Sequence, residues 1–266
     1  MGQDDVTTGQ FCVAGISTES GIPDYRSDGV GLYATSSKRP IQHKVFMESP
    51  AARRSYWARN FVGWPRWSAF LPNPAHLALA GWEASTRLQV SIVTQNVDQL
   101  HYKAGSRAVV ELHGTNSRVV CMSCSFNQPR QQFQRLLERL NPDMVAHTST
   151  IRPDGDVELS QEEVASFAVP NCPKCNNGIL KPDVVFFGDN VPLGRVAEVR
   201  KKVAACDRLL VIGSSLYVFS GLRFVNQARD LGIPVAVLNI GPTRADKIVD
   251  LKIESKAGDV LPKIKL

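Results

Sequence analysis

Two Cys-x-x-Cys pairs constrain the fold of this chain more than any other feature of the sequence. The pairs are Cys121 with Cys124 and Cys172 with Cys175, and the segment 125–171 lies between them. Each pair can place two thiolates on one tight turn, and two such turns supply the four ligands of a tetrahedral zinc ion. Four thiolates leave no open coordination position, so we expect a structural zinc ion rather than a catalytic one. Because the separation exceeds that of a short zinc ribbon, two redox Cys-x-x-Cys motifs remain the alternative.

The composition of the chain excludes several classes of protein. The 266 residues include only six cysteines, so the chain is not a disulfide scaffold, and we expect Cys12 and Cys206 to be simple buried residues. The net charge is +6, but Lys and Arg are scattered along the chain, which argues against a dedicated nucleic-acid surface. No apolar run is long enough to cross a bilayer, so the sequence predicts no membrane span.

Short β-branched runs alternate with amphipathic stretches, a pattern that is typical of an α/β fold. Runs that are short and nearly continuous in apolar residues predict buried parallel strands at 90–94, 208–212 and 235–239, and a further strand at 248–253. Helices are predicted at 74–86, 129–140, 193–205 and 221–231. Pro74 and Pro129 suit the first turns of two of them, because a missing N–H costs nothing there.

Two stretches interrupt this pattern, and both are interpreted as insertions into the sheet. Residues 29–72 are rich in aromatic residues and Arg without a strand period, and residues 115–182 contain the cysteine pairs. We therefore predict a Rossmann-like parallel sheet domain with a smaller zinc-binding and helical domain inserted. The predicted Rossmann-like part comprises 1–28, 73–114 and 183–266, and the smaller part comprises 29–72 and 115–182.

Three glycine-containing loops follow apolar runs and together predict a dinucleotide site. In the first, residues 15–26, small residues allow a phosphate to approach the backbone, and Arg26 is able to pair with it. The second is 213–215 and the third is 239–241. A single glycine-rich loop is a weak signal, but ligands of parallel sheets bind at the carboxyl ends of the strands, where all three loops are expected.

Two further polar segments are ambiguous when each is taken alone. Gln95, Asn96 and Asp98 leave a predicted strand, where polar residues also serve as a plain helix cap. His113 stands in the run Glu-Leu-His-Gly, and a lone His is more often a hydrogen-bonded core residue than a catalyst. For both segments, a role in binding or catalysis is favoured only when they are considered together with the other motifs of the chain.

The order of these motifs resembles the sirtuin family over about residues 14–262. In chain order the motifs read Gly-Ile-Ser…Gly-Ile-Pro-Asp-Tyr-Arg, Thr-Gln-Asn-Val-Asp, Leu-His-Gly, the two Cys-x-x-Cys pairs, Lys-Pro-Asp-Val-Val-Phe-Phe-Gly, Gly-Ser-Ser-Leu and Leu-Asn-Ile-Gly. The match is closest to the mitochondrial class II sirtuins and, among them, to the sirtuin-four branch. Tyr25 and the segments 56–61 and 239–243 support that finer assignment.

The resemblance implies an NAD site that includes residues 14–34 and the later loops. Asn96, Asp98 and His113 would be the catalytic residues, with His113 as general base and Gln95 helping to hold the nicotinamide and its ribose. The implied NAD-binding residues are Ala14, Gly15, Ile16, Ser17, Pro23, Asp24, Tyr25, Arg26, Gln95, Asn96, Asp98, His113, Gly213, Ser214, Ser215, Asn239, Ile240, Gly241 and Ala257. The resemblance also assigns the zinc to Cys121, Cys124, Cys172 and Cys175.

The implied reaction is removal of an acyl group from lysine, with transfer to ADP-ribose and release of nicotinamide. Tyr56 and Arg59 are three residues apart and would share a helix face, where sirtuins of this class receive a carboxylate at the end of the acyl chain. We therefore expect glutaryl, hydroxymethylglutaryl or lipoyl groups to be preferred over acetyl. A solvated Arg beside a packed Tyr is the plain alternative. The substrate peptide is expected to pair as an added strand with Val184, Val185, Phe186, Phe187 and Gly188.

The first loop departs from the family pattern, which usually reads Thr-Gly-Ala-Gly-Ile-Ser. Here the chain reads Thr8-Gly9 and then Ala14-Gly15, so either Val13 replaces the first glycine or residues 10–13 interrupt the motif. We also expect the family's first helix and much of its first strand to be missing. Because a β-branched residue disfavours positive φ and crowds a phosphate, the sequence predicts weaker NAD binding than in an intact relative.

Two other functions use the same motifs and remain alternatives. One is mono-ADP-ribosyl transfer to protein, and the other is a non-catalytic NAD-binding or zinc-dependent interaction module. A dehydrogenase is disfavoured, since the chain contains no Gly-x-Gly-x-x-Gly followed by a ribose-binding acid. The expected partners are acyl-lysine proteins, among them metabolic enzymes, and the expected state is a monomer without nucleic acid or membrane. The resemblance places the protein in the mitochondrial matrix, with no leader visible in this chain.

Overall fold

The computed structural model describes residues 7–13, 16–27, 29, 31–37, 39–85, 88–144 and 151–265, and for residues 7–13 and 88 it describes the backbone alone. The strands are β1 (Thr7–Val13), β2 (Leu88–Thr94), β3 (Val109–Glu111), β4 (Gly114–Cys121), β5 (Asn127–Pro129), β6 (Leu180–Val184), β7 (Arg208–Ile212), β8 (Val235–Leu238) and β9 (Leu251–Ile253). The helices are α1 (Leu32–Thr35), α2 (His43–Glu48), α3 (Pro50–Ala69), α4 (Pro74–Ala84), α5 (Leu100–Lys103), α6 (Arg130–Leu140), α7 (Gln161–Ala165), α8 (Leu193–Ala204), α9 (Phe219–Asp230) and α10 (Ala257–Val260). Short 3₁₀ turns occupy Ile16–Ser20 and Leu261–Lys263.

Six parallel strands form the larger sheet, in the order β3-β2-β1-β7-β8-β9. Counted along the sheet's own strands, this is the doubly wound order 3-2-1-4-5-6, in which the chain reverses direction between the first and fourth strands. Val90, Ile92, Val211 and Val237 are buried within it. Such apolar strands are expected in a parallel sheet with both faces covered. The reversal places the carboxyl ends of β1 and β7 side by side, where sheets of this order bind ligands.

The helices of this sheet bury apolar faces that their sequences supply. Helix α4 begins at Pro74 after the N-cap Asn73, whose side chain accepts hydrogen bonds from two backbone amides of the first turn. Its Leu79 and Trp82 pack in one cluster with Ile92 of β2. Helices α8 and α9 pack against each other, and α9 also packs against β8. Within the described residues, no helix combines the length and the apolarity that crossing a membrane requires.

The smaller sheet is antiparallel, in the order β5-β4-β6. The longest helix, α3, packs against it and against α2, α6 and α7 by means of aromatic residues. Trp57 is completely buried, and its Nε1 donates a hydrogen bond of 3.0 Å to the carbonyl of Leu180 on β6. The aromatic-rich stretch 29–72, whose sequence has no strand periodicity, therefore contributes to the core beside the smaller sheet.

The chain divides into two compact units, each described by itself. The first contains residues up to Ser20 together with Leu71–His113 and Val191–Leu266, and it holds the parallel sheet. The second contains Gly21–Phe70 and Gly114–Asn190, and it holds the antiparallel sheet and both cysteine pairs. The sequence-based division, with limits at 28, 72, 114 and 182, stays a prediction for the functional domains. The predicted α/β class, with a parallel sheet and a smaller helical and cysteine-bearing part, is confirmed.

Several predicted element limits are corrected. Helix α6 begins at Arg130, because Pro129 ends β5 and serves as the N-cap. Strand β9 begins at Leu251, because the amide of Ile248 instead closes a turn onto the carbonyl of Ala245. The first strand is not missing, since Thr7–Val13 pairs along its whole length with β2. Residues 10–13 are therefore strand residues.

Candidate functional site

Polar side chains at the carboxyl ends of β1 and β2 form one hydrogen-bonded group in the first unit. Ser17 Oγ donates to Asp98 Oδ2 over 2.7 Å, and Asn96 Nδ2 donates to Ser17 Oγ over 2.9 Å. The other Asp98 oxygen, Oδ1, accepts the amide of Leu100 over 2.9 Å. Burial raises the pKa of Asp98, while these hydrogen bonds act in the opposite direction. These hydrogen bonds fix the relative positions of an amide, a hydroxyl and a carboxyl. Such a set of groups is suited to binding a carboxamide and sugar hydroxyls.

Two residues that the sequence interpretation missed support this group. Asn73 Nδ2 donates to the carbonyl of Ile16 over 2.8 Å and to Ser20 Oγ over 3.0 Å, so the N-cap of α4 also fixes the loop after β1. His76 Nε2 lies 3.5 Å from Ser17 Oγ. The Asn-Pro pair at a helix start is the only sequence signal for this role, and it predicts a cap rather than a loop contact.

His113 follows β3 and lies against helix α9. Its Nε2 is 2.9 Å from Ser220 Oγ. Burial, together with the positive charges of Arg195 and Arg223, lowers the pKa of His113 to about 4, while a hydrogen bond with the backbone of Gln95 acts in the opposite direction. The imidazole is therefore neutral near pH 7 and able to accept a proton, as a general base must.

The loop after β7 lies beside the residues that follow β2. Gln95 Nε2 donates to Ser214 Oγ over 3.3 Å. Gly221 makes room for this contact, since a Cβ at that position would lie 2.9 Å from Gln95 Nε2. Gly213 and Leu216 both have positive φ, and Ser214 Oγ accepts the amide of Leu216 over 3.2 Å. The loop is thus a tight turn with its hydroxyl and amide groups at the carboxyl edge of the sheet.

The loop after β8 and the N-terminus of α10 are also at this edge of the first unit. Asn239 Nδ2 donates to the carbonyls of Ile240 and Gly241 over 3.0 Å and 3.1 Å, which holds that turn closed. Ala257 is buried at the first position of α10. The neighbouring Gly258 amide donates to Glu19 Oε1 over 3.0 Å, a contact between the loop after β1 and the C-terminal helix that sequence analysis missed.

Six predicted NAD-binding residues remain, of which two lie outside the described residues and four belong to the second unit. Ala14 and Gly15 lie outside the described residues. Residues 23–26 belong to the second unit, where Asp24 Oδ1 accepts the amides of Arg26 and Ser27 over 2.8 Å and 2.7 Å. The guanidinium of Arg26 lies 5.2 Å from the ring centre of Tyr33, in cation–π contact.

The four cysteines of the two pairs meet in the second unit, with all four Sγ atoms within 4.8 Å of one another. Cys121 and Cys175 are 3.7 Å apart at sulfur, and so are Cys124 and Cys172. A tetrahedron with Zn–S bonds of about 2.3 Å has edges of about 3.8 Å, whereas a disulfide measures about 2.05 Å. The donor set and its spacing fit one structural zinc ion, and the alternative of two separate redox motifs is not what the structure contains.

Gly178 completes the metal centre in a way that the sequence did not reveal. A Cβ at this position would overlap Cys121 Sγ and lie 2.7 Å from Cys175 Sγ. Its carbonyl accepts the amide of Cys172 over 2.9 Å. The glycine is required because the backbone of 178 packs directly on the thiolates.

The predicted acyl-site residues lie on helix α3, but Arg59 is already paired. Its Nε donates to Asp156 Oδ1 over 2.9 Å, and its Nη1 donates to Ser55 Oγ over 3.2 Å. Tyr56 is buried and packs edge-on against Phe46. Burial raises the pKa of Tyr56 well above its ordinary value, so the hydroxyl stays protonated. The Arg59 side chain is 26% exposed and ion-paired with Asp156.

The predicted peptide-pairing segment begins at the end of β6. Val184 pairs with Gly114 of β4, and Phe186 packs in the aromatic core against Tyr56. The carbonyl of Phe187 accepts the amide of His43 over 2.8 Å. Gly188 has positive φ, and a Cβ there would lie 2.8 Å from Gln42 Oε1. The Phe186 side chain therefore contributes to the core, and the backbone of the segment is held by residues 42 and 43.

Known proteins match this chain over most of its length. Residues 13–220 match the Sir2 family model. The Drosophila melanogaster protein named NAD-dependent protein deacylase Sirt4 is 56% identical over 251 residues, which cover 94% of this chain and 80% of that protein. The Homo sapiens protein named NAD-dependent protein lipoamidase sirtuin-4, mitochondrial, is 55% identical over 251 residues, with 94% and 79% covered.

Solved structures agree with the sequence comparisons. A structure described as "Structural Basis for the Mechanism and Regulation of Sir2 Enzymes" has a TM-score of 0.70 and 30% identity, and it covers 97% of this chain and 90% of its own. A structure described as "Sir2-p53 peptide-NAD+" has a TM-score of 0.73 and 28% identity, with 96% and 90% covered. On this evidence, the chain belongs to the Sir2 family, the sirtuins.

Proposed function

We propose that this protein is an NAD-dependent protein-lysine deacylase. The observation that carries the proposal is the group of polar residues at the carboxyl edge of a sheet with the 3-2-1-4-5-6 order, with a neutral His113 at the same edge of the unit. Sir2 relatives are named deacylase or lipoamidase, and one related structure is described with a peptide and NAD. NAD supplies the sugar carbon that accepts the acyl oxygen when nicotinamide leaves.

The residues of the first unit have distinct roles in this proposal. Gln95, Asn96 and Asp98 bind the nicotinamide end of NAD and its ribose. The Ser17 hydroxyl fixes the positions of Asn96 and Asp98 through hydrogen bonds. His113 removes a proton from a ribose hydroxyl, because its depressed pKa keeps the imidazole unprotonated at the working pH. The loops 213–215 and 239–241 contact the phosphates and the adenine-side ribose.

Zinc has a structural role in the proposal. Cys121, Cys124, Cys172 and Cys175 would supply all four ligands of a tetrahedral ion, so no position would be left for substrate. The ion would hold β4 and the turn at 172–175 together in the second unit and would take no part in the acyl transfer.

The preferred acyl groups in this proposal are acidic or long chains, such as glutaryl, hydroxymethylglutaryl or lipoyl, rather than acetyl. Arg59 on α3 would receive an acidic terminus, since a guanidinium pairs with carboxylates and has more N–H groups than the two that it gives to Asp156 and Ser55. The substrates are acyl-lysine proteins, among them metabolic enzymes, with 184–188 as the peptide-pairing segment. The name of the human relative supports a mitochondrial location, which we place in the matrix.

Nicotinamide release from NAD with a panel of acyl-lysine peptides tests the proposal. We expect release that depends on one acyl class and on His113. Release without any added peptide, accompanied by labelled ADP-ribose on a protein target and no acyl loss, would instead favour mono-ADP-ribosyl transfer. No release from any peptide, in a folded sample that contains zinc, would contradict the enzyme assignment and favour a binding module.

A further inference from the structure

The guanidinium of Arg59 already donates two hydrogen bonds within the second unit. Nε pairs with Asp156 Oδ1 over 2.9 Å, and Nη1 donates to Ser55 Oγ over 3.2 Å. An arginine binds a carboxylate in fork geometry through two adjacent N–H groups. Because Nε and one N–H of Nη1 are already in use, a carboxylate arriving from a substrate competes with Asp156 and Ser55 for the guanidinium.

The segment that carries Asp156 packs closely against helix α3. A Cβ at Gly63 of α3 would overlap the carbonyl oxygen of Gly155, and a Cβ at Gly155 would lie 3.1 Å from the ring of Trp67. The Asp154 carbonyl accepts Asn116 Nδ2 over 3.1 Å. Asp156 itself is 9% exposed. The carboxylate is therefore held at a fixed distance from Arg59.

The direct counter-ion of Arg59 is Asp156, at 2.9 Å. Arg152 lies farther from Asp156, at 3.7 Å, and it also pairs with Glu158. An incoming acidic acyl chain therefore meets a guanidinium that is already ion-paired, unlike a chain approaching an unpaired arginine.

We propose that Asp156 is a specificity-determining residue that restrains Arg59 and so weakens the capture of carboxylate-bearing acyl chains relative to neutral chains of the same length. The inference rests on the proposed function, in which Arg59 lies in the acyl site. It assigns the balance between acidic and neutral acyl groups to a side chain 97 residues away from Arg59 in the sequence.

The test compares glutaryl-lysine and pentanoyl-lysine forms of one peptide, which differ in the terminal carboxylate. Asp156→Asn keeps the shape of the side chain and removes its charge. We expect the ratio of kcat/KM for glutaryl over pentanoyl to rise about tenfold, as for a charge-assisted hydrogen bond that becomes available. Ser55→Ala frees Nη1 without altering the turn, and we expect the same ratio to rise about threefold.

Two further variants isolate the effect. Glu158→Gln removes a neighbouring carboxylate that pairs with Arg152, and it should leave the ratio unchanged. Adding Arg59→Met to Asp156→Asn should abolish the gain. An unchanged ratio in both Asp156→Asn and Ser55→Ala, with normal pentanoyl turnover, overturns this inference alone. Absence of His113-dependent turnover in the wild-type protein overturns the proposed function instead.

Discussion

His113 and Ser220 share a contact of 2.9 Å between Nε2 and Oγ, which joins the residue after β3 to the first turn of α9. We expect His113→Ala to lower deacylation by roughly 10²–10⁴-fold, the usual contribution of a general base. The fold should persist, because the substitution removes a polar side chain without leaving a charge. Nicotinamide release and thermal melting of the variant check both expectations.

Ser220→Ala is the matched comparison for that variant. It removes the partner hydroxyl and keeps the imidazole, so turnover should fall by no more than about tenfold, in keeping with one neutral hydrogen bond. Equal losses in the two variants would mean that the hydrogen bond, rather than the imidazole, accounts for the effect of His113→Ala.

The pH dependence of turnover should reflect the depressed pKa of His113. The basic form prevails above a pKa of about 4, so kcat/KM is expected to be level between about pH 6 and 8 and to fall only in more acidic solution. The measurement is the pH profile of kcat/KM with one peptide. An acid limb centred near the ordinary histidine value of 6.5 would contradict it.

Stability should also decrease in mild acid because of a buried histidine pair. The rings of His76 and His101 are 4.8 Å apart, and burial lowers the pKa of His76 to about 3 and that of His101 to about 4. Their folded pKa values lie below the ordinary 6.5, so the unfolded chain binds protons first as the pH falls. The free energy of unfolding should therefore be greatest above pH 6.5 and decrease from there toward pH 4.

His101→Phe separates this effect from general acid denaturation. Neither ring nitrogen of His101 has a hydrogen-bond partner among the described residues, so a phenyl ring removes a titrating group without breaking a bond. We expect the drop in Tm between about pH 7.5 and 5.5 to shrink by roughly 2–4 °C, which corresponds to about 1 kcal/mol for a chain of this size. An unchanged drop in Tm would show that His101 does not contribute to the loss of stability in acid.

Gly178→Ala should release zinc. The added methyl group overlaps Cys121 Sγ, so the ligand geometry and the backbone at 178 cannot both be kept. We expect a zinc content well below one ion per chain and a lower Tm, and metal analysis of the purified variant measures this. Gly194→Ala in α8 is the control, since a Cβ there meets nothing within 4 Å and should change neither quantity. Full zinc occupancy in Gly178→Ala would contradict the packing argument.

Replacing Cys12-Val13 by Thr-Gly should tighten NAD binding. Val13 is the last residue of β1, and β1 pairs with β7 at the point where the strand order reverses. A β-branched residue is restricted in backbone conformation, whereas the glycine that the family usually carries is not. Calorimetric titration with NAD should give a lower Kd for the double variant, and an identical Kd would show that the altered motif has no effect on binding.

Much of the site could be predicted because its residues follow strands that are themselves recognisable. The apolar run at 208–212 coincides with β7, and Gly213 and Ser214 then had to lie at the carboxyl edge of the sheet. Likewise, Gln95 and Asn96 follow β2. A parallel sheet gathers such residues by its geometry, so local sequence is sufficient to bring them together.

The missed residues act through contacts that no local pattern encodes. Asp156 lies in a polar turn that resembles any surface loop, and its pairing with Arg59 depends on how closely α3 approaches that turn. Glu19 contacts Gly258, and the two are 239 residues apart in the chain. Such partners are fixed by tertiary packing, and hydrophobic periodicity predicts only which faces pack, not which side chains meet.

The position of β1 also has a consequence for folding during synthesis on the ribosome. Strand β1 lies inside the sheet, between β2 and β7, and β7 begins only at Arg208. Until that segment leaves the exit tunnel, β1 has one open edge, and an open edge is a template for pairing with other chains. Distant pairings of this kind also fold slowly. Nascent chains that stop before residue 208 should therefore be recognised by chaperones and proteases rather than accumulate as a smaller folded protein.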